Sequence, residues 1–175
     1  SVTRVGAYAF SDCADLTNVI IPDSVTSIDY YAFYNCTGLT SAIIPDSVTL
    51  IASWAFCNCT ALTNVSIGSK AYIKSVAFSR CDNLSGIWVD PDNLIFSSDE
   101  NGVLFNKDKT SLVCCPGGIS GAYEIPDSVT SIENCAFSDC AGLTSVTVPE
   151  NVTSIGTDAF CNCAGLTSAC FKGNA

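Results

Sequence analysis

The sequence contains no histidine and does not begin with methionine. Without histidine the chain cannot form the usual Ser–His or Cys–His nucleophile pairs, which argues against an enzyme. No basic segment followed by an apolar core marks a secretory signal, so the cellular location must be inferred indirectly. We expect the chain to be a piece of a longer protein.

Basic residues and long apolar runs are also scarce. Seven Lys and Arg face seventeen Asp and Glu, which gives a net charge of −10. This charge repels phosphate groups and argues against nucleic acid as a partner. The longest apolar runs, such as that of Val19, Ile20 and Ile21, are only a few residues long, whereas a membrane span needs about 20. The hydrophobic content of 48% nevertheless predicts a folded chain.

An internal repeat organises the chain. The motif Ala-Phe-x-x-Cys-x-x-Leu recurs with its phenylalanine at positions 10, 33, 56, 78, 137 and 160. The phrase Ile-Pro-Asp-Ser-Val-Thr-x-Ile keeps the same phase at residues 21–28, 44–51 and 125–132, with a looser copy at 148–155. A coil of about 23 residues can bury its apolar side chains only by stacking on its neighbours. The sequence therefore predicts a repeat solenoid of about seven coils across residues 1–175.

Each coil is predicted to begin with a strand and to have a second wall. Alternation along one such strand points Leu39, Ala42 and Ile44 into the core and Ser41 and Ile43 outward. The proline that follows ends the strand because it lacks a backbone donor. The next residues, Val-Thr-x-Ile, predict a short extended segment on the opposite wall.

The remaining part of each coil is the corner that carries the Ala-Phe motif. Its spacings of three and four residues favour a helical turn or a 3₁₀ segment. The phenylalanines are predicted to stack as a buried spine, one from each coil.

One coil, residues 90–124, is longer than the others. It contains two apolar runs, 102–106 and 112–116, around the polar turn 107–110, and this pattern is typical of a β-hairpin. We expect the hairpin to replace the Ala-Phe corner with a protruding or folded-over arm.

The 23-residue period, the phrases around Ile-Pro-Asp-Ser-Val-Thr-Ser-Ile and the motif containing Ala32, Phe33, Cys36 and Leu39 resemble the BspA-like, or treponemal-type, leucine-rich repeat family. The resemblance covers nearly the whole chain. It implies a right-handed leucine-rich-repeat coil with a parallel β-sheet on the concave face, short extended or 3₁₀ segments on the other wall and one β-hairpin insertion. It also implies a secreted or cell-surface protein that adheres to host proteins, and it supplies no catalytic residues.

The twelve cysteines are divided between one repeated column and scattered positions. Column positions 13, 36, 59, 81, 140 and 163 are predicted to face the core as free thiols. Parallel Cβ atoms about 4.8 Å apart exceed the roughly 3.8 Å of a disulfide, so a bridge between coils is the weaker alternative. The other six, at 57, 114, 115, 135, 161 and 170, match neither a bridge framework nor a zinc motif.

The carboxylates also favour a structural role. Asp23, Asp46 and Asp127 follow the repeated proline, where aspartate hydrogen-bonds the turn backbone. A further group, Asp90, Asp92, Asp99 and Glu100, flanks the long coil. It is interpreted as a solvated acidic loop, with a calcium site as the alternative. We expect no metal and no cofactor.

The outward positions of the first strands are the candidate binding surface, because solenoids bind on such a concave sheet. The predicted ligand-binding residues are Asn18, Ile20, Ser41, Ile43, Asn64, Ser66, Trp88, Ser145 and Thr147. Exposed Trp and Ile fit a protein-binding hot spot, although strand propensity alone also explains them. The hypotheses are a protein-binding or adhesion module with a host surface or matrix protein as partner, a structural spacer, and a carbohydrate surface around Trp88.

The two ends of the chain fall at nearly the same phase of the repeat. Ser1, Val2 and Thr3 match the phrase at residues 24–26, and Asn174 and Ala175 fall at the phase of residues 24 and 25. Neither end carries the polar cap that solenoids need. The alternatives are flanking repeats beyond this chain or end-to-end self-association of copies.

Overall fold

The computed structural model describes residues 1–173, which form short strands and no helix. In chain order the strands are β1 (Arg4–Val5), β2 (Asn18–Ile20), β3 (Ser27–Ile28), β4 (Ser41–Ile44), β5 (Leu50–Ile51), β6 (Asn64–Ile67), β7 (Tyr72–Ile73), β8 (Gly86–Val89), β9 (Phe96–Ser98), β10 (Leu104–Asn106), β11 (Ser111–Cys114), β12 (Gly121–Glu124), β13 (Ser131–Ile132), β14 (Leu143–Val148), β15 (Ser154–Ile155) and β16 (Ser168–Phe171). Within this range no helix has the length and apolarity to cross a membrane. The expected phase match of Asn174 and Ala175 lies outside the described residues.

The first wall of the solenoid is built from parallel strands, one from each coil. Strands β2, β4, β6 and β8 form one sheet, and β12, β14 and β16 form another. The predicted alternation is confirmed in β4, where Ala42 and Ile44 are buried while Ile43 is 69% exposed. The period of two thus places one apolar row in the core and leaves the other face of the sheet to solvent.

The second wall is made of two-residue strands in the same parallel register. Strands β1, β3, β5 and β7 form one sheet, and β13 and β15 continue a second one. Val25 and Ile28 point into the core with 1% and 0% exposure. Threonine hydroxyls connect the coils, because Thr49 Oγ1 donates to the Thr26 carbonyl at 3.1 Å. Both walls and the repeat phase confirm the predicted solenoid.

The corners are not helical, and the expectation of a 3₁₀ segment was wrong. The second residues before and after the phenylalanine have positive φ, as at Tyr31 and Asn35, both with φ 57°. The backbone donors between them alternate in direction, because the Phe33 N–H donates to the Ala55 carbonyl of the neighbouring coil at 2.8 Å, whereas the Tyr34 N–H bonds within its own coil. A helical turn would keep those donors within one coil, so stacking of coils determines the corner conformation.

The phenylalanine spine is confirmed in the interior and wrong at both ends. Phe33, Phe56, Phe78 and Phe137 are buried, and Phe56 stacks on both Phe33 and Phe78 at 5.0 and 5.5 Å between ring centroids. Phe160, in the last corner of the described residues, is only partly buried, and Phe10 is 41% exposed because the first coil has a neighbour on one side only. The same reason leaves the column thiol Cys13 exposed, whereas Cys36, Cys59, Cys81 and Cys140 are buried.

The long coil contains the predicted hairpin, but the hairpin does not protrude. Strands β10 and β11 pair antiparallel, and β9 joins them as a third strand. Val103, Leu104, Phe105 and Leu112 are fully buried. Because these apolar side chains enter the core, the insert is folded into the solenoid.

The insert also leaves a corner in place, so the expected replacement of the corner was wrong. The Cys115 N–H donates to the Ala136 carbonyl at 2.6 Å, which is the bond that phenylalanine makes in other coils. Cys115 therefore takes the phenylalanine position of this coil. The buried residues form two clusters, one around Phe56 and one around Phe137, and the insert contributes side chains to both.

Candidate functional site

The outward side chains of β2, β4, β6 and β8 form two adjoining rows, which we call the strand face. Backbone pairing aligns the four strands without a slip in register. One row holds Asn18, Ser41, Asn64 and Gly86, and the other holds Ile20, Ile43, Ser66 and Trp88. Seven of the nine predicted site residues therefore lie together on one sheet.

Ile20 and Ile43 form an exposed apolar pair on the strand face. They are paired across adjacent strands and are 84% and 69% exposed. Their neighbours along the chain point inward, as Ala42 does with 1% exposure. Packing of the solenoid therefore does not require an apolar residue at either position.

Trp88 lies flat on the sheet in the same row as these isoleucines, with Ser66 between it and Ile43. A Cβ atom at Gly86 would come within 2.6 Å of the indole ring, which shows that the ring covers the Gly86 backbone. The indole Nε1 donates to Asn64 Oδ1 at 3.3 Å, and the side chain stays 42% exposed. Gly86 has no side chain, so the indole can pack against its backbone, and the hydrogen bond to Asn64 fixes the orientation of the ring. The other face of the indole is exposed to solvent.

A shallow groove runs between the first two strands of this face. It has a volume of about 350 Å³ and is lined by both isoleucines, by Asn18 and Ser41, and by Asp23 at its rim. An apolar floor with hydroxyl, amide and carboxylate groups around it suits a complementary protein surface. Within the described residues, no group of three or more His, Cys, Asp or Glu side chains is arranged to hold a metal ion.

Ser145 and Thr147 do not join the other predicted site residues. They lie on β14, which pairs with β12 and β16 in the separate three-stranded sheet. The insert lies between the two sheets, because the Ile87 N–H donates to the Gly102 carbonyl at 2.9 Å instead of to a strand of the next coil. The nine predicted site residues therefore do not form one continuous surface.

Sequence reasoning missed two outward residues of the second sheet. Ala122 pairs with Ser145 and Glu124 pairs with Thr147, so both belong to the same rows. The signal was present, because Glu124 immediately precedes an Ile-Pro-Asp-Ser-Val phrase as Ile20 does. Glu124 forms an ion pair with Lys172, which makes this sheet more polar than the strand face.

Two of the four acidic residues around the insert, Asp90 and Asp99, accept hydrogen bonds in local turns. The Asp90 carboxylate accepts the Asp92 N–H at 2.8 Å. Asp99 accepts the Val103 N–H at 2.8 Å and the Tyr123 hydroxyl at 2.8 Å. Burial, followed by the bond to Asp99, raises the pKa of Tyr123 well above its usual range. The Asp99 contacts attach the insert to β12, and the Asp90 and Asp99 carboxylates thus have structural roles.

All twelve cysteines are free thiols in the structure. In the column, Cys36 and Cys59 each donate to a phenylalanine carbonyl of the preceding coil at 3.1 Å. Burial raises the pKa of the Cys36 thiol to about 12. A thiol that stays protonated and donates a hydrogen bond is a structural element and not a nucleophile.

Similar proteins were found by family and by structure. The family model of the BspA type leucine-rich repeat region matches residues 1–100 and 121–175 in six copies. No curated protein sequence is significantly similar to the chain.

Three solved structures illustrate the similarity. A leucine-rich cell surface protein of Faecalibacterium prausnitzii is 34% identical, with a TM-score of 0.70 over 98% of this chain and 52% of its own. A leucine-rich repeat protein from Bacteroides ovatus is 27% identical, with a TM-score of 0.65 over 99% of this chain and 48% of its own. The pneumococcal vaccine antigen PcpA shares the fold at 22% identity, with a TM-score of 0.68 over 97% of this chain and 56% of its own.

The chain thus spans about half the length of these solved proteins. The repeat phase, the two walls and the family match agree over most of the chain. This chain belongs to the BspA type leucine-rich repeat family.

Proposed function

We propose that the chain is a protein-binding, adhesion-type module of a secreted or cell-surface protein and that it binds through the strand face. The observation that carries the proposal is the adjacent pair Ile20 and Ile43, which stay exposed on a flat sheet where the core does not need them. The solved relative from Faecalibacterium prausnitzii, described as a cell surface protein, supports the location.

The chemistry of the strand face favours a protein partner over a polysaccharide. Trp88 is the one aromatic residue in the two rows, and a sugar chain needs more than one aromatic platform for a sizeable contact. Two isoleucines, one indole and a surrounding set of Ser and Asn side chains match the apolar centre and polar rim of protein interfaces. The net charge of −10 favours a partner with a basic surface, such as a host surface or matrix protein.

The proposed role is non-catalytic. The strand face and its groove contain hydroxyl, amide and apolar side chains and the Asp23 carboxylate, and the chain has no histidine to activate a hydroxyl group. Ser145 and Thr147, on the second sheet, are proposed as a smaller contact area beside Glu124.

The test is capture of partners from host extracellular fluid by the intact chain and by a triple variant, Ile20→Ser, Ile43→Ser and Trp88→Ser. Residues at the centre of an interface each contribute about 2 kcal/mol or more. The triple variant is therefore expected to lose at least about 100-fold in affinity for the captured protein.

The matched control removes three apolar side chains of similar exposure elsewhere, with Val2→Ser, Tyr30→Ser and Ile155→Ser. These side chains are 63%, 52% and 42% exposed and lie outside the strand face. The control should capture the partner as the intact chain does. If no protein is captured, or if both triple variants capture it equally, the chain is a spacer and the proposal fails.

A further inference from the structure

The second wall is interrupted at β7. Strands β3 and β5 each pair with a strand on both sides, whereas β7 pairs only with β5. The next strand of this wall, β11, pairs with β13 and with the hairpin strand β10. The edge of β7 that faces the long coil therefore has no strand partner within residues 1–173.

The open edge leaves the backbone of Ile73 without a partner. In the preceding coil, the Ile51 carbonyl accepts the Lys74 N–H at 2.9 Å. Ile73 is in register with Ile51, so its N–H and C=O point toward the next coil in the same way. Among the described residues, nothing bonds to either group, although Ile73 is only 4% exposed. A buried edge with an unpaired donor and acceptor favours the addition of another backbone.

The carbonyl of Ala71, two residues before Ile73, has a hydrogen-bond partner, which is the side chain of Asn93. The fully buried Asn93 side chain donates to the carbonyls of Ala71 and Gly68 at 3.1 Å, and its Oδ1 accepts the N–H groups of Ile95 and Phe96 at 2.9 Å. The Asn93 side chain thus supplies the Ala71 carbonyl with the hydrogen bond that a neighbouring strand would otherwise donate. It does not reach Ile73, two residues further along the edge.

A cleft of about 490 Å³ lies beside this edge. Tyr72, Ile73 and Lys74 line the β7 side, and the opposite lining comes from β11 and from the insert: Ser111, Val113, Ile95, Phe96 and Asn106. Ile95 and Tyr72, which are each 41% exposed, add apolar surface to its lining. The cleft therefore offers both backbone hydrogen bonds and apolar surface.

Charges are arranged along the cleft. The Lys74 ammonium lies 5.2 Å from the centre of the Tyr72 ring, on the β7 side. Glu133 lies across the cleft on the β13 side, where the Ser111 hydroxyl donates to it at 2.5 Å. A segment that pairs with β7 would place its own charged residue beside Lys74, which favours an acidic side chain there.

We propose that this cleft binds an extended peptide segment of a partner protein, which adds to β7 as a parallel strand. The preferred segment resembles the second-wall phrase of the repeat, Ser-Val-Thr-Ser-Ile followed by an acidic residue. The edges of β3 and β5 already pair with such segments of this chain, and β7 presents the same edge with the same register. The backbone supplies affinity and the acidic residue supplies selectivity. This site is separate from the strand face.

The test uses a defined probe, a fluorescein-labelled peptide Asp-Ser-Val-Thr-Ser-Ile-Glu with blocked ends, whose sequence is that of residues 127–133. Its binding is followed by fluorescence anisotropy. In the proposed register the Glu N–H of the peptide donates to the Ile73 carbonyl, and the preceding Ile N–H points away from β7. N-methylation of the Glu nitrogen should weaken binding about tenfold, whereas N-methylation of the Ile nitrogen should have a much smaller effect.

A charge reversal gives the second arm. Lys74 is exposed, so Lys74→Glu should fold normally and should bind the probe about three- to fivefold more weakly. A probe with Lys in place of Glu should then bind the variant better than the intact chain. The triple variant Ile20→Ser, Ile43→Ser and Trp88→Ser should bind the original probe unchanged, which separates this site from the strand face.

Three results would overturn the proposal. The first is the absence of saturable binding up to about 1 mM peptide. The second is equal binding of the two N-methylated peptides, which would show that the Ile73 edge is not used. The third is an unchanged preference for the acidic peptide in the Lys74→Glu variant.

Discussion

Removal of one interior phenylalanine tests the stacking of the coils. Phe56 is 0% exposed and lies between Phe33 and Phe78, with rings inclined by only 10° and 17°. Truncation to alanine creates a cavity that the neighbouring coils cannot close without shifting their strands. We expect Phe56→Ala to lower the free energy of unfolding by about 3–5 kcal/mol.

Phe10 provides a matched control for the same substitution. It is 41% exposed and stacks on Phe33 alone, at 5.2 Å. Less apolar area leaves water when this residue packs, so Phe10→Ala should cost about 1–2 kcal/mol. The difference between the two variants comes only from the position of the coil in the stack.

Urea unfolding followed by tryptophan fluorescence is the assay. Trp54 and Trp88 lie in the coils on either side of Phe78, so their emission reports on the part of the solenoid that contains Phe56. The slope of the free energy against urea concentration should stay the same in both variants, because the folded area is similar. An equal loss of stability in Phe56→Ala and Phe10→Ala would refute the stacked spine.

Three further predictions follow from single contacts. Asn93→Ala should cost about 2–4 kcal/mol in urea unfolding, because it leaves buried backbone groups of two coils unpaired, whereas the exposed Asn101→Ala should cost little. Gly86→Ala should displace the Trp88 indole and change its emission in a Trp54→Phe background, and unchanged emission would show that the ring does not lie on Gly86. The Cys36 pKa is raised from 9.0 to about 12, so its contribution to stability is complete below pH 9 and is lost as the pH rises toward 12. The decline in urea stability over that range should be smaller in Cys36→Ala, and identical curves would contradict the pKa shift.

Periodic features were predictable from the sequence because they depend on the repeat itself. The burial of Ile44 and the exposure of Ile43 follow from alternation along a strand whose next neighbour has the same pattern. The hairpin was also predictable, because two apolar runs flank a polar turn at residues 107–110. Each of these signals is local in sequence.

Features that depend on contacts between coils, or on coils that differ from the regular repeat, were not predictable from the sequence. The left-handed conformation of Tyr31 and Trp54 gave no signal, because aromatic residues seldom adopt it and only the stacked coils enforce it. The strand β9 has no alternation of its own and forms because β10 lies beside it. The exposure of Phe10 depends on its place at the end of the stack.

In the candidate site, too, some features follow from the repeat and others depend on neighbours outside it. The row positions of Ile20, Ile43 and Trp88 follow from the repeat phase. The separation of Ser145 and Thr147 does not, because the sequence does not show where the insert folds back. The contact of Trp88 with Gly86 and Asn64 is a side-chain arrangement within one sheet, and a repeat pattern carries no information on it.

Hydroxyl-radical footprinting of the chain bound to a captured partner tests the central claim most directly. Oxidation of Trp88 and Ile20 should slow when the partner binds, because both side chains would enter the interface. Trp54, which is 38% exposed on a corner outside the strand face, serves as the internal reference and should be oxidised at the same rate. Unchanged oxidation of Trp88 and Ile20, with protection at Trp54 instead, would contradict the strand face as the binding surface.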